Sequence, residues 1–214
     1  MPELPEVETL RLMIEPRVLG AHVKSVDIRR RDVVHCESGK VLPQHLLSGD
    51  VITSTCRKGK QLALIGKSGR VMVVQLGMTG DLFCESQDQE NSQPHVHCVW
   101  KLLNVDGVPA RMVFRDPRRF GGIVCLASAL ELKERWNKLG PDGLSLKHNQ
   151  LEIGLCGSVR ALKAALLDQN VVAGIGNIYA DEILFACGIK PTRKAGRVTR
   201  DELVNLAAAI PPHT

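Results

Sequence analysis

The feature that most constrains this fold is a change of hydrophobic period along the chain. Between about residues 21 and 126 lie seven short runs rich in β-branched and aliphatic residues. They are VKSVDIRR, VITSTC, QLALIG, RVMVVQL, HVHCVWKLL, RMVFR and GGIVCL, separated by Gly, Asp, Ser, Pro or Asn. Short strands at this spacing predict an antiparallel sandwich or barrel. Aromatic residues make up only 3% of the chain, so its core must be built from Val, Leu, Ile and Ala. A polar stretch, SQDQENSQP at 86–94, reads as a long, mobile loop.

The period is helical on both sides of this region. Val7, Leu10 and Ile14 fall on one face of a leading helix over 3–15, with Glu3 and Glu6 at its start. Pro16 should kink or end that helix. Around 127–150 the pattern turns helical and then breaks at Gly140, Pro141, Asp142 and Gly143. Residues 158–187 read as helix–turn–helix. Val159, Leu162 and Leu166 share a face of the first helix, with Ser158 a candidate N-cap. After AGIGN, residues Ala180, Ile183, Leu184 and Cys187 line a second helix ending at Gly188. A last helix should start after Thr199, with Glu202 completing a capping box, and run towards Ala209. The fold class is α+β, an N-terminal antiparallel β-sandwich with a leading helix followed by a helical domain. The expected boundaries are a sandwich domain over 1–130, a linker over 131–150 and a helical domain over 151–214.

Composition excludes several classes. Seven cysteines, at 36, 56, 84, 98, 125, 156 and 187, form no C-x-x-C pair. Their odd number and wide spacing fit reduced, mostly buried thiols in a cytosolic protein, not a disulfide framework or zinc knuckle. MPELPEVETL has no apolar core of a signal peptide, and no apolar run approaches a membrane span. A net charge of +5 is compatible with a polyanionic partner without establishing one.

The first six residues carry the sharpest chemical signal. Once Met1 is removed, Pro2 presents a secondary amine. An α-amino group has a pKa near ~8, so roughly a tenth is unprotonated at neutral pH. Such an amine can attack an electrophilic sugar carbon and form an iminium. Glu3 and Glu6 follow three residues apart, on the same side of the helix start, and either could act as general acid/base.

MPELPEVETL, with RKGKQL at 57–62, QLGMTGDL at 75–82, FRDPRRFGG at 114–122, LGPDGL at 139–144 and LLDQNVVAGIGNIYADEILFACGIKP at 166–191, closely resembles the formamidopyrimidine-DNA glycosylases. The resemblance covers essentially the whole chain, and its last string is in register with the family's helix–two-turn–helix module. It implies a bifunctional glycosylase and abasic-site lyase of base excision repair, acting on oxidised purines such as 8-oxoguanine and formamidopyrimidines. Pro2 would attack C1′ of the damaged nucleotide, Glu3 would be the acid/base of ring opening, and Lys60 would contact backbone and lesion. Glu6 is placed as a supporting residue.

Chemistry at C1′ requires the nucleotide to leave the stack. By resemblance Met78, Arg118 and Phe120 are the side chains inserted in its place. Polarisable Met and flat Phe suit a wedge, and Arg can donate twice to an orphaned base. His95 and Arg119 would contact the DNA backbone, as would Lys163 and Asn177. The Gly174–Gly176 turn opens a helix whose amides should hold a phosphate. Between 154 and 200, seven basic residues face three acidic ones, an excess suited to sequence-independent binding. His95 and His97, two apart on one strand face, are a weak metal signal without a third ligand. The RRR run at 29–31 reads as a solvated strand edge.

Family members usually continue into a lesion-covering loop and a zinc-finger hairpin with two C-x-x-C pairs, which this sequence lacks, so the chain reads as C-terminally truncated. The expected cofactor and metal are therefore none, and Gln75 stands where a His is common. The expected partner is double-stranded DNA carrying oxidised bases, with no membrane, for a monomer in the bacterial cytoplasm at the nucleoid. Two alternatives stay open. One is an inactive DNA-binding remnant; the other is an endonuclease VIII-like enzyme for oxidised pyrimidines, which PELPEVET and the Met78–Arg118–Phe120 set disfavour.

Overall fold

A computed structural model describes residues 2–36, 39–87 and 93–210. The chain forms two compact units. The first holds Pro2 and residues 6–57 and 61–134; the second holds residues 3–5, 58–60 and 135–210. Two short N-terminal segments thus belong with the helical unit, which periodicity alone does not reveal.

The first unit is a two-sheet α+β sandwich. Strands β1 (His22–Ile28), β6 (Asp81–Ser86), β7 (Val96–Leu103) and β8 (Pro109–Arg115) form one sheet in the order β1-β7-β8-β6. Strands β2 (Val34–Cys36), β3 (Ile52–Lys58), β4 (Gln61–Gly66), β5 (Val71–Gln75) and β9 (Gly122–Leu126) form the other, in the order β2-β9-β5-β4-β3. Alternate residues of both sheets meet in one core, among them Leu82, Trp100, Met112 and Phe114 from the first and Leu62, Met72, Val74 and Ile123 from the second. Trp100 is fully buried, and its indole N–H donates to the Leu46 carbonyl at 2.9 Å, so this buried indole carries no unpaired donor.

Three details depart from the sequence reading. The β2–β9 pair is parallel, with Val34 opposite Ile123 and Cys36 opposite Cys125. Strands β2 and β6 have no counterpart among the runs read from sequence, because β2 has three residues and β6, DLFCES, has little β-branched character. Helix α1 (Leu4–Val18) also runs through Pro16. The carbonyl that Pro16 leaves without an amide partner is that of Leu12, whose residue is 55% exposed, so water can satisfy it. The helix ends at Gly20, which has φ +76°. Val7, Ile14 and Val18 bury the face expected of it. The expected loop at 86–94 lies largely outside the described residues.

The helical unit contains α3 (His148–Leu155), α4 (Leu162–Leu166), α5 (Asn177–Ala186) and α6 (Arg200–Ala209), and the division between the units falls within the residues of α2 (Ala129–Asn137). Its core includes Leu151, Leu155, Leu162, Leu166, Ile183 and Leu206. Helix α4 is shorter than periodicity suggests. Val159 is 78% exposed, Ser158 caps nothing there, and the helix starts after Ala161. The cause is backbone pairing with a distant segment. Gly196 N donates to Ser158 O (2.9 Å), Ala195 N to Arg160 O (2.9 Å) and Leu162 N to Arg193 O (2.7 Å), which holds residues 158–161 extended. Helix α6 matches expectation, with Thr199 and Glu202 exchanging both capping-box bonds.

Candidate functional site

In the helical unit the turn before α5 is the organising feature. Gln169 clamps it from both ends of its carboxamide. The Gln169 Oε1 accepts from Gly174 N (2.9 Å), and Nε2 donates to the carbonyls of Ile175 (2.9 Å) and Leu167 (3.1 Å). Leu4 N donates to Gly174 O at 3.1 Å. Gly174 has φ +114°, and a Cβ there would overlap the Leu4 side chain, so glycine is required on two grounds.

Glu3 sits at the centre of this arrangement. It is 1% exposed, and its carboxylate accepts from Gly176 N (2.6 Å) and Tyr179 N (3.3 Å) on Oε2 and from Ile178 N (3.0 Å) on Oε1. These are orphan amides of the first turn of α5, and a carboxylate at the positive end of the helix is favourable. A Cβ on Gly176 would run into the same carboxylate, which explains the second glycine of GIGN. The expectation that these amides stand open for a phosphate is therefore corrected, since their occupant is Glu3. Sequence reasoning missed this because the two partners lie 173 residues apart. Glu3 and Glu6 also differ in environment, contrary to the shared face expected of them. Glu3 is buried ahead of α1, and Glu6 is exposed in its first turn.

Pro2 directly precedes this carboxylate and is half-buried. Lys60 is half-buried in the turn after Gly59. Gly59 has φ +57°, and a Cβ on it would lie 3.0 Å from Ala173 Cβ and 3.1 Å from Gly174 N. Its amide donates to Asp142 Oδ2 at 2.7 Å, while Asp142 Oδ1 caps the next turn through Leu144 N at 3.0 Å. Lys58 Nζ donates to the Trp136 carbonyl at 2.7 Å. Residues 58–60 are thus tied into the unit that holds Glu3. Asp142 and Gln169 are the residues of this site that motif reading did not single out; both are polar residues beside Gly-rich turns.

On the same unit Lys163 pairs with Asp181 on α5 at 2.8 Å, and Asn177 is exposed at the start of that helix. Arg160 pairs with Asp168 and Arg193 with Glu202, while Lys190, Lys194, Arg197 and Arg200 are exposed.

In the sandwich unit the other candidate residues gather on two adjoining loops. Met78 is 39% and Phe120 59% exposed, so neither is a core residue. Arg118 is exposed too, and its guanidinium lies over the Phe120 ring with Cζ 4.7 Å from the centroid. Glycines bring the loops together. A Cβ on Gly77 (φ +60°) would overlap the backbone of Phe120 and Gly121, and one on Gly121 would lie 2.8 Å from the Leu76 carbonyl.

Asp116, fully buried, accepts from the Thr79 hydroxyl (2.6 Å), Gly121 N (2.7 Å) and Arg118 N (3.2 Å). Burial pushes its carboxyl up, but the Thr79 hydroxyl and the Gly121, Arg118 and Arg119 amides outweigh that and hold it below the usual carboxylate range. Arg119 has φ +55° and reaches Asp32 at 3.0 Å. The Arg30 guanidinium above all, with Arg119, holds the exposed Asp32 carboxyl at about 2.

His95 and His97 do not share a strand face. His95 is exposed at φ +68° before β7 begins, and His97 is buried with Nε2 2.8 Å from the Asp116 carbonyl. The cause is an irregularity in the β7–β8 register between Val96 and Cys98. Among the described residues, no three His, Cys, Asp or Glu side chains are grouped to hold a metal, and no helix is long and apolar enough to cross a membrane. All seven cysteines are free, but only Cys98 and Cys125 are buried and Cys156 is exposed, fewer buried than expected. The RRR run lies beyond the end of β1, with Arg29 paired to Asp27 and Arg30 to Asp32.

Two family models match the chain. The formamidopyrimidine-DNA glycosylase N-terminal domain matches residues 1–123, and the H2TH domain of the same enzymes matches residues 139–211. A formamidopyrimidine-DNA glycosylase of Syntrophomonas wolfei is 36% identical over 212 residues, covering 98% of this chain and 75% of the relative. One from Moorella thermoacetica is 38% identical over 214 residues, covering 98% and 76%. Among solved structures, MutM in complex with DNA containing carbocyclic 8-oxo-G superposes with a TM-score of 0.85 at 27% identity, over 98% of this chain and 76% of that one. The Lactococcus lactis Fpg bound to DNA with an abasic site gives 0.85 at 26% identity, over 98% and 75%.

Proposed function

The chain belongs to the formamidopyrimidine-DNA glycosylase family of DNA base-excision repair enzymes, and from that premise we propose that it excises oxidised purines and then cleaves the strand as a lyase. The substrate class is 8-oxoguanine and formamidopyrimidines in double-stranded DNA. The observation that carries the reading is the presentation of Met78, Arg118 and Phe120. Large side chains kept in water on two glycine-locked loops are costly unless they meet a partner, and a DNA stack opened by base extrusion is such a partner.

In this reading the Pro2 nitrogen attacks C1′, the glycosidic bond breaks and its electron pair leaves with the oxidised base. The nitrogen loses its proton as the sugar ring opens, giving an iminium. Abstraction of a proton from C2′ then expels the 3′ phosphate, and a second elimination expels the 5′ phosphate. Glu3, fixed by three amides beside Pro2, is the proton-transfer group of ring opening, and Lys60 contacts backbone and lesion. Glu6 supports the site. His95, Arg119, Lys163 and Asn177 contact the DNA backbone.

The test is product analysis on a panel of duplexes. Excision of 8-oxoguanine and formamidopyrimidine opposite cytosine, with strand cleavage leaving phosphates on both ends, is expected. Preferential release of an oxidised pyrimidine would favour the endonuclease VIII-like alternative, and binding without release the inactive remnant.

A further inference from the structure

The two loops that carry Met78, Arg118 and Phe120 share one buried group. Asp116 is anchored by its backbone to the start of β7, its N–H donating to His95 O at 3.1 Å and its carbonyl lying 2.8 Å from His97 Nε2. Its carboxylate then reaches both loops. On one side the Thr79 hydroxyl, next to Met78, donates to Oδ1 at 2.6 Å. On the other, Arg118 N donates to the same oxygen at 3.2 Å and Gly121 N to Oδ2 at 2.7 Å. Arg118 N also lies 3.2 Å from the Thr79 oxygen, which makes the hydroxyl a direct bridge between the loops. Arg119, between them, is held at a positive φ that a non-glycine residue adopts only when its surroundings enforce it.

We propose that Asp116, acting through Thr79, is the positioning residue that sets Met78, Arg118 and Phe120 in one arrangement for insertion into DNA, and so contributes to discrimination of the base opposite the lesion. The inference rests on the insertion reading given above. The three side chains have no core to hold them, so their geometry must come from their backbones. Those backbones converge on one carboxylate with no Cβ-sized gap between the loops. A wedge that donates hydrogen bonds to an orphaned base must hold Arg118 to a fraction of an ångström, whereas filling space alone does not require it.

Removing a fully buried carboxylate from all its donors endangers the fold, so the informative pair is Thr79→Val, which deletes the hydroxyl at constant shape, and Thr79→Ser, which retains it. The probe is a duplex with a tetrahydrofuran abasic analogue opposite 2-aminopurine, read by fluorescence at saturating protein. A second readout is the ratio of 8-oxoguanine excision rates opposite cytosine and adenine, which does not depend on the fraction of folded protein. The expected result is a fluorescence change with the unaltered chain that Thr79→Val largely loses and Thr79→Ser keeps. The excision ratio should fall about 3–10-fold in Thr79→Val, the scale of one net hydrogen bond. A Thr79→Val protein with the same fluorescence change and ratio would overturn the proposal. So would rates that fall together for both opposing bases, which marks a merely structural role. A silent signal from the unaltered chain would instead sink the insertion reading itself.

Discussion

Replacing Glu3 by glutamine separates the structural work of this residue from its chemistry. The substitution keeps the shape of the side chain but turns one of two acceptor oxygens into an NH2 donor. The retained oxygen fits best facing Gly176 and Tyr179, which leaves the new NH2 against Ile178 N–H. The cost has three parts. Two bonds drop from charge-assisted to neutral strength, about 1 kcal/mol each, and one amide loses its partner at about 1 kcal/mol, the low end because Ile178 is half solvated. Loss of the negative charge at the N-terminus of α5 adds about 0.5 kcal/mol. The total is about 3–4 kcal/mol, or a fall in Tm of roughly 6–16 °C for a chain of this size. The assay is thermal unfolding by far-UV circular dichroism, with amide hydrogen exchange at Gly176, Ile178 and Tyr179. A Glu3→Gln protein melting within about 1 °C of the unaltered chain would refute the reasoning, because the carboxylate would then not be holding the helix end.

Other consequences follow from the same geometry. Gly121→Ala places a methyl against the Gln75 and Leu76 carbonyls, so the two wedge loops must part; a loss of about 2 kcal/mol or more in urea unfolding, with weaker binding to an abasic-site duplex, is expected. Asp50 and Asp116 both have carboxyls held below their ordinary value, by hydrogen bonds that outweigh the burial pushing them up. Their contribution is complete above about pH 4, the unfolded value, and is lost as pH falls through the lower folded values. The share of stability these two carboxylates supply should therefore decline below about pH 4 in pH-dependent urea titrations, and the decline should shrink in Asp50→Asn. Arg119 and Lys163, the two cations proposed to contact the DNA backbone, should each reduce the slope of log affinity against log salt by about 1 when changed to alanine, across DNA sequences alike.

What the sequence makes legible is what local pattern encodes. The buried face of α1, the capping box at Thr199 and Glu202, and most strands are visible because each depends on residues within a few positions. What stays hidden depends on distant partners. The shortened α4 follows from pairing of residues 158–161 with 193–196, and no local signal announces that. The occupant of the α5 amides is another case. AGIGN correctly reads as an anion-binding turn, yet the anion is Glu3 from the other end of the chain. His95 and His97 look like a pair at strand spacing, and a register irregularity separates them. Thr79 and Asp116 lie within QLGMTGDL and FRDPRRFGG, but their task depends on a carboxylate shared by two loops 37 residues apart in sequence.

The central claim is that the Pro2 amine is the nucleophile, and borohydride trapping tests it most directly. The purified chain, shown by mass spectrometry to have lost Met1, is incubated with a duplex bearing one 8-oxoguanine opposite cytosine and reduced during turnover. A covalent protein–DNA adduct that maps to residue 2 and disappears in Pro2→Gly is the expected result. No adduct on that duplex, nor on one carrying an abasic site, would contradict it.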